Sequence, residues 1–176
     1  MAPITLNGSA GESVNMSKLF PVTPATTYLD KLGIVYEKHS YDYQRKGSDV
    51  AAEGLGVRLH DVVKTLIMQR DDDEPIIILQ HGDMEVNLKD LARQIGAKGV
   101  QPCDVKDAQR HTGYLVGGIS PFGTKRQMPV YTEETILQMP KFYINGGQRG
   151  FIIEITPVEI QKALKITSVK VAKAHG

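Results

Sequence analysis

Apolar positions in this chain fall in short blocks whose period alternates between about two and about three to four residues. Thr23-Pro24 opens and Gly33 closes a helix over Pro24–Leu32, with Tyr28, Leu29 and Leu32 facing inward. Ile34–Tyr41 reads as a strand that puts His39 and Tyr41 on one face. Ser48 is expected to cap a helix over Asp49–Leu55, with Val50, Ala51 and Leu55 as its apolar side and Gly54 and Gly56 as its stop. Asp61–Gln69 is a strand with Lys64, Leu66 and Met68 on one face and Val63, Thr65 and Ile67 on the other. After the acidic turn Asp71–Pro75, Ile76–Gln80 is apolar without alternation, which predicts a strand buried on both faces.

Met84–Val86 is a short strand, and Asn87 caps a helix over Leu88–Ile95 whose inner stripe is Leu88, Leu91, Ala92 and Ile95. Val100 begins an extended piece, and Asp104–His111 is helical. Met128–Tyr131 is extended. Lys141–Asn145 and Phe151–Ile155 are strands joined by a five-residue hairpin loop, Gly146–Gly150. Thr156-Pro157-Val158-Glu159 is a capping box for a helix over Pro157–Leu164, and the tail after Ile166 alternates weakly, as an edge strand would. Strands and helices mix without regular βαβ alternation. The expected fold is α+β: one domain over residues 21–176, with a mixed, mostly antiparallel sheet curled into a partial barrel and flanked by short helices. Residues 1–20, rich in Gly, Ser and Asn, are expected to be a disordered extension.

Two loops break this pattern. Gly113-Tyr114-Leu115-Val116-Gly117-Gly118-Ile119-Ser120-Pro121-Phe122-Gly123 and Gly146-Gly147-Gln148-Arg149-Gly150 are dense in glycine, which lets a backbone approach a ligand closely and offer its N–H groups. Lys64 is a cation in an otherwise apolar strand. It either runs its stem out to water or points into a polar cleft as a fixed charge, and the strand pattern favours neither. Two glycine corners and one lysine could frame a single pocket.

Composition limits the chemistry. A single cysteine, Cys103, excludes an internal disulfide and fits a reducing cytosol, and one Cys with five scattered His makes no zinc pattern. No apolar run approaches the ~20 residues that span a bilayer, and Met1–Pro24 lacks the basic start and apolar centre of a secretory signal. Net charge is +1, but residues 1–88 carry 8 Lys+Arg against 13 Asp+Glu and residues 89–176 carry 13 against 7. Such asymmetry fits an anionic partner or two solvated faces. Gly118-Ile119-Ser120-Pro121-Phe122 fails the nucleophile-elbow spacing at Phe122, and Pro121 removes the N–H that an oxyanion hole would need there. Cys103 has no base assigned to it and reads as structural. No dinucleotide or P-loop fingerprint is present. A pocket of backbone donors, a lysine and nearby Tyr and His remains, suited to holding an ester or a phosphodiester.

Val63-Lys64-Thr65-Leu66 and the two glycine loops, in this order and spacing, resemble the YbaK / prolyl-tRNA-synthetase-associated editing domains over roughly Pro24–Leu164. The resemblance implies the partly barrel-like α+β fold and hydrolysis of mischarged aminoacyl-tRNA, with no cofactor and no metal. It implies that Lys64 is the essential catalytic lysine and that Gly117, Gly118, Ile119, Ser120 and Pro121 form the substrate loop. Tyr41, Gly146 and Gly147 border the same pocket. Glu133 stands where relatives often carry Asp, which leaves its role open. The wording Gly117–Gly123 looks most like the Cys-tRNA(Pro)/Cys-tRNA(Cys) deacylase branch. An Ala-tRNA(Pro) deacylase and a non-catalytic tRNA-end or synthetase-binding module are the alternatives. The implied partner is the aminoacyl-tRNA 3′ end, with a prolyl-tRNA synthetase partner left open and no membrane.

Overall fold

The computed structural model describes residues 20–175. The expected N-terminal extension therefore lies outside the described residues except for Phe20, which packs on the main core with its ring 6.1 Å from that of Phe151. Thr23 accepts the Thr26 N–H and Thr26 returns the bond, a capping box that starts α1 (Pro24–Lys31) with proline in its first turn. Leu29 is buried, but Leu32, expected inward, is 51% exposed because the helix has ended and the chain turns through Gly33 at φ 71°.

The expected long first strand shortens to β1 (Glu37–Ser40). In α2 (Ser48–Leu55), Ser48 is the first helical residue rather than the cap; Gly47, at φ 141°, precedes it and makes no side-chain bond. A 3₁₀ turn over Leu59–Asp61 leads into β2 (Val62–Arg70), which pairs antiparallel with β3 (Pro75–His81) to make the centre of the sheet. β4 (Met84–Val86), α3 (Leu88–Ile95, capped by Asn87), β5 (Val100–Pro102) and α4 (Val105–Thr112, capped by Asp104) follow. Then come β6 (Val130–Glu133), a 3₁₀ turn over Glu134–Gln138, β7 (Phe142–Gln148) and β8 (Phe151–Ile155). α5 (Pro157–Ala163), β9 (Ile166–Val169) and β10 (Ala172–Ala174) close the chain. Only half of the expected box at α5 forms. Thr156 accepts the Glu159 N–H, while the Glu159 carboxylate takes the Val35 N–H and Lys162 instead.

The main sheet runs β1-β8-β7-β2-β3-β6-β9, with β5 also on β2; β10 pairs with β4 apart from it. It is mixed and mostly antiparallel, the parallel pairs being β2–β7, β3–β6 and β6–β9, and it is not closed. The unalternating run is buried on both faces as the pattern predicted. Ile77 and Leu79 join the main core with Phe122, Phe142 and Phe151, while Ile76 and Ile78 pack with Met68, Leu91, Val169 and Val171. A third cluster, Ala51, Ala52, Val62 and Ile152 with Tyr41 and Tyr143 against it, covers the β8-β7-β2 end. No helix among the described residues is long and apolar enough to cross a membrane.

Candidate functional site

The first glycine loop leaves α4 through Gly113, whose left-handed φ of 81° closes the helix. Its two ends are tied together because the buried Tyr114 hydroxyl donates to the Phe122 carbonyl at 2.5 Å. Inside that tie, Gly118 N–H donates to Leu115 O at 2.8 Å and Val116 N–H to Gln109 Oε1 at 2.9 Å. Gly117 sits at φ 96°, a conformation that glycine adopts without penalty. Gly118 is needed for another reason: a Cβ there would stand 2.8 Å from the Arg149 nitrogen. The loop therefore lies directly on the second glycine segment.

That segment is not the expected five-residue loop. β7 continues to Gln148, which pairs with Phe151 across a two-residue turn, and the register slips between Asn145 and Gln148. The irregularity turns side chains out of the ladder and toward the first loop. Asn145 Nδ2 donates to Gly117 O at 3.2 Å, and its Oδ1 accepts the Gly147 N–H at 2.7 Å. Arg149 Nε donates to Val116 O at 3.0 Å, with the guanidinium 5.5 Å from the centre of the Tyr43 ring. Tyr43 in turn stands over Gly117, where a Cβ would meet its hydroxyl at 2.5 Å. Tyr41 donates its N–H to Gly150 O at 2.9 Å and lays its side chain on Gly54. Four stretches of chain thus meet at one corner.

Lys64 lies on the strand next to that of Asn145. β2 and β7 pair in parallel as Val62↔Tyr143 and Val63↔Ile144, so Lys64 and Asn145 lie one step further along and, by alternation, emerge on one face. The Lys64 ammonium donates to Met84 O at 2.6 Å. This is its one hydrogen bond among the described residues, so two of its three N–H donors have no protein acceptor. Burial pulls its pKa below the ordinary lysine value, against the opposing pull of Glu85 and Asp83. Asp83 also holds His60 Nδ1 at 2.8 Å, and His60 stacks on His81 with ring centres 3.8 Å apart. His81 is buried and lies between the His60 carbonyl, 2.9 Å from Nδ1, and the Thr135 hydroxyl, 2.6 Å from Nε2. Those partners fit the neutral ring with its proton on Nδ1. Burial holds its pKa below the usual imidazole value.

The structure therefore joins Tyr41, Gly117 and Gly118 at the corner and puts Lys64 on the sheet face beside it. The other expected substrate contacts are placed differently. Ser120 is fully buried, and its hydroxyl accepts the Phe122 N–H at 3.3 Å, a turn within the loop. Ile119 packs on the main core. Pro121 is buried and lines a cleft of about 700 Å³ together with Tyr28, Met128 and Lys165. Gly146 and Gly147 face inward, against Phe151 and against Tyr114 and Thr23 respectively. Glu133 is buried at the end of β6, and its carboxylate accepts the Val171 N–H at 2.8 Å, which commits it to the C-terminal segment. Tyr43, Asn145 and Arg149 also stand at the corner, beyond the residues expected there. Arg149 lay inside the glycine motif, and Asn145 and Tyr43 stand two residues from aromatic positions of the same sheet end.

The 700 Å³ cleft is lined by neither Lys64 nor Gly117, and the same holds for a second cleft of about 320 Å³ beside Glu37, Lys141 and Glu154. The corner is instead marked by Asn145 and Arg149, whose side chains donate to the carbonyls of Gly117 and Val116 in the glycine loop. Among the described residues, Glu37, His39 and Glu154 have donor atoms within 4.8 Å of one another, as a metal ion would require. Both carboxylate oxygens of Glu154 are already engaged, by His39 at 2.9 Å and by the Lys141 ammonium at 3.1 Å.

Residues 44–163 match the family described as the aminoacyl-tRNA editing domain. The chain is 31% identical over 140 residues to EbsC of Enterococcus faecalis, a candidate Cys-tRNA(Pro)/Cys-tRNA(Cys) deacylase, covering 78% of this chain and 85% of EbsC. It is 26% identical over 97 residues to a proline–tRNA ligase of Brachyspira hyodysenteriae, covering 55% of this chain but 17% of the ligase. A crystal structure of a candidate trans-editing enzyme for prolyl-tRNA synthetase superposes with a TM-score of 0.77 at 19% identity. The superposition spans 88% of this chain and 100% of the other, a likeness of fold.

Proposed function

Because the chain belongs to the aminoacyl-tRNA editing domain family, we propose that it is a trans-editing deacylase that cleaves the ester of Cys-tRNA(Pro) or Cys-tRNA(Cys). The observation that carries this reading is the bond from Asn145 to the carbonyl of Gly117, on the strand and face next to Lys64. It lays the Gly117 backbone on the strand beside β2, which carries Lys64, a half-buried lysine whose ammonium gives one N–H to Met84 O.

Such a site has no nucleophile of its own and needs none. The substrate's cysteinyl thiol attacks its own ester carbonyl, the bond to the ribose oxygen breaks, and that oxygen leaves with the proton. In the alternative course, a water attacks with help from the neighbouring ribose hydroxyl. The protein supplies position and charge. Orienting an intramolecular attack accounts for ~7–11 kcal/mol of barrier. In this reading Lys64 orients the 3′ end and stabilises the developing oxyanion, while Gly117 and Gly118 let the backbone approach the terminal nucleotide. A net charge of +1 is small for tRNA affinity, so most of that affinity belongs to a synthetase partner.

The test is deacylation of Cys-tRNA(Pro) and Ala-tRNA(Pro) side by side by the wild-type protein and Lys64→Ala. Cysteine release by the wild type, reduced at least a hundredfold in a folded Lys64→Ala, is expected. Release of alanine only would move the substrate assignment to the alanine branch. Release of neither would make the protein a binding module, and full activity in Lys64→Ala would remove Lys64 from the chemistry.

A further inference from the structure

The described residues hold seven arginines. Arg45, Arg58, Arg70, Arg93, Arg110 and Arg126 each pair with an Asp or Glu. Arg149 pairs with none, although its side chain is held in place twice. Its Nε is bonded to Val116 O at 3.0 Å, and the plane lies over Tyr43 at 5.5 Å. The residue is exposed, and its Nη atoms make no hydrogen bond among the described residues. An exposed arginine normally retains much rotamer freedom. One that is fixed through its inner nitrogen and a ring face presents its outer edge in a single direction. That edge is the part of a guanidinium that takes two oxygens of a phosphate at once.

The position specifies which phosphate. Arg149 lies against Gly118, and Tyr43 lies against Gly117, so cation and ring both sit on the corner assigned to the substrate. The terminal nucleotide of a charged tRNA carries its ester on the ribose and one phosphodiester on the 5′ side. A site that holds the first therefore meets the second within the length of a nucleoside. We infer that Arg149, held by Val116 and Tyr43, binds the 5′ phosphodiester of the substrate's terminal adenosine. The identity of the anion rests on the deacylase reading; the anion site itself rests on the pairing and geometry of Arg149.

Titration calorimetry with adenosine 5′-monophosphate and with adenosine tests this, using the wild type, Arg149→Gln and Arg149→Lys. The ratio of the two affinities is read within each variant, so a partly unfolded sample lowers both and leaves the ratio intact. The wild type should prefer the monophosphate by tenfold or more. Arg149→Gln should bring the ratio to about one, and Arg149→Lys should restore part of it. A wild type that binds both equally, or binds no monophosphate, overturns the inference, as does an Arg149→Gln that keeps the preference. Deacylation of Cys-tRNA(Pro) by the same wild-type sample separates the two ideas. Turnover without phosphate preference fails Arg149 alone, and preference without turnover fails the deacylase reading alone.

Discussion

Replacing Gly118 by alanine adds one methyl group at the tightest contact of the corner. That Cβ would lie 2.8 Å from Arg149 N, 3.0 Å from Gln148 C and 3.1 Å from Gln148 Cα, all backbone atoms that no rotamer change can move. Ordinary contact begins at 3.4 Å, so the glycine loop and the turn must part by about 0.6 Å. The bonds Arg149 Nε–Val116 O at 3.0 Å and Asn145 Nδ2–Gly117 O at 3.2 Å would then stretch beyond hydrogen-bonding length. Overpacking and two weakened bonds together cost about 2 kcal/mol. With a urea slope of roughly 2 kcal/mol/M, the unfolding midpoint should fall by about 1 M. Misplacing the proposed substrate loop by a good fraction of an ångström should also reduce deacylation on the order of a hundredfold. Gly99 is the control, because a Cβ there meets nothing within 4 Å and Gly99→Ala should leave both readouts near wild type. An unfolding midpoint within ~0.2 M of wild type for Gly118→Ala, with undiminished turnover, would show that the two segments do not depend on this approach.

Glu133→Ala removes the acceptor for the buried Val171 N–H and should destabilise by about 1–3 kcal/mol, seen as a lower melting temperature, with deacylation per folded molecule unchanged. A specific loss of turnover would return Glu133 to the substrate site. His81 should make stability depend on pH. Its folded pKa lies below the unfolded value of about 6.5, so the unfolded chain binds more protons and stability falls as pH drops through that region. His60, Asp83, Glu133 and Thr135 surround the ring, so the urea midpoint should drop less between pH 7.5 and 5.5 in His81→Gln than in the wild type. Equal drops would discharge His81. The Cys103 thiol is pushed up by burial and by Asp107 and Asp104, so iodoacetamide at pH 8 should label it more slowly than free glutathione; faster labelling by mass spectrometry contradicts that.

Much of the fold was legible because its signals are local. Thr23, Asn87 and Thr156 each accept a backbone N–H within three residues, and the Ile76–Leu79 run announces burial on both faces without any partner being known. What could not be read depends on contacts across the fold. Leu32 matches the helical period but falls one residue past the last turn. Ser48 is a good cap by type, yet the backbone before it places Gly47 in that role. The site divides in the same way. Gly117 and Gly118 were visible as glycines in a motif, whereas the Ser120 hydroxyl folds back on its own loop and the Glu133 carboxylate serves a residue 38 positions on. Asn145 and Arg149 became visible only with the slip in β7, since an unbroken ladder would have kept them in the hairpin.

The small β10–β4 ribbon has a practical consequence. Ala174 pairs with Met84, and the Met84 carbonyl is the atom that holds the Lys64 ammonium. Whatever is fused behind Gly176 therefore pulls on a strand one hydrogen-bonded step from the proposed reaction centre. Affinity handles and immobilisation linkers for assays of this protein are better kept away from β10, and an inactive preparation with a handle fused there says little about the proposed activity.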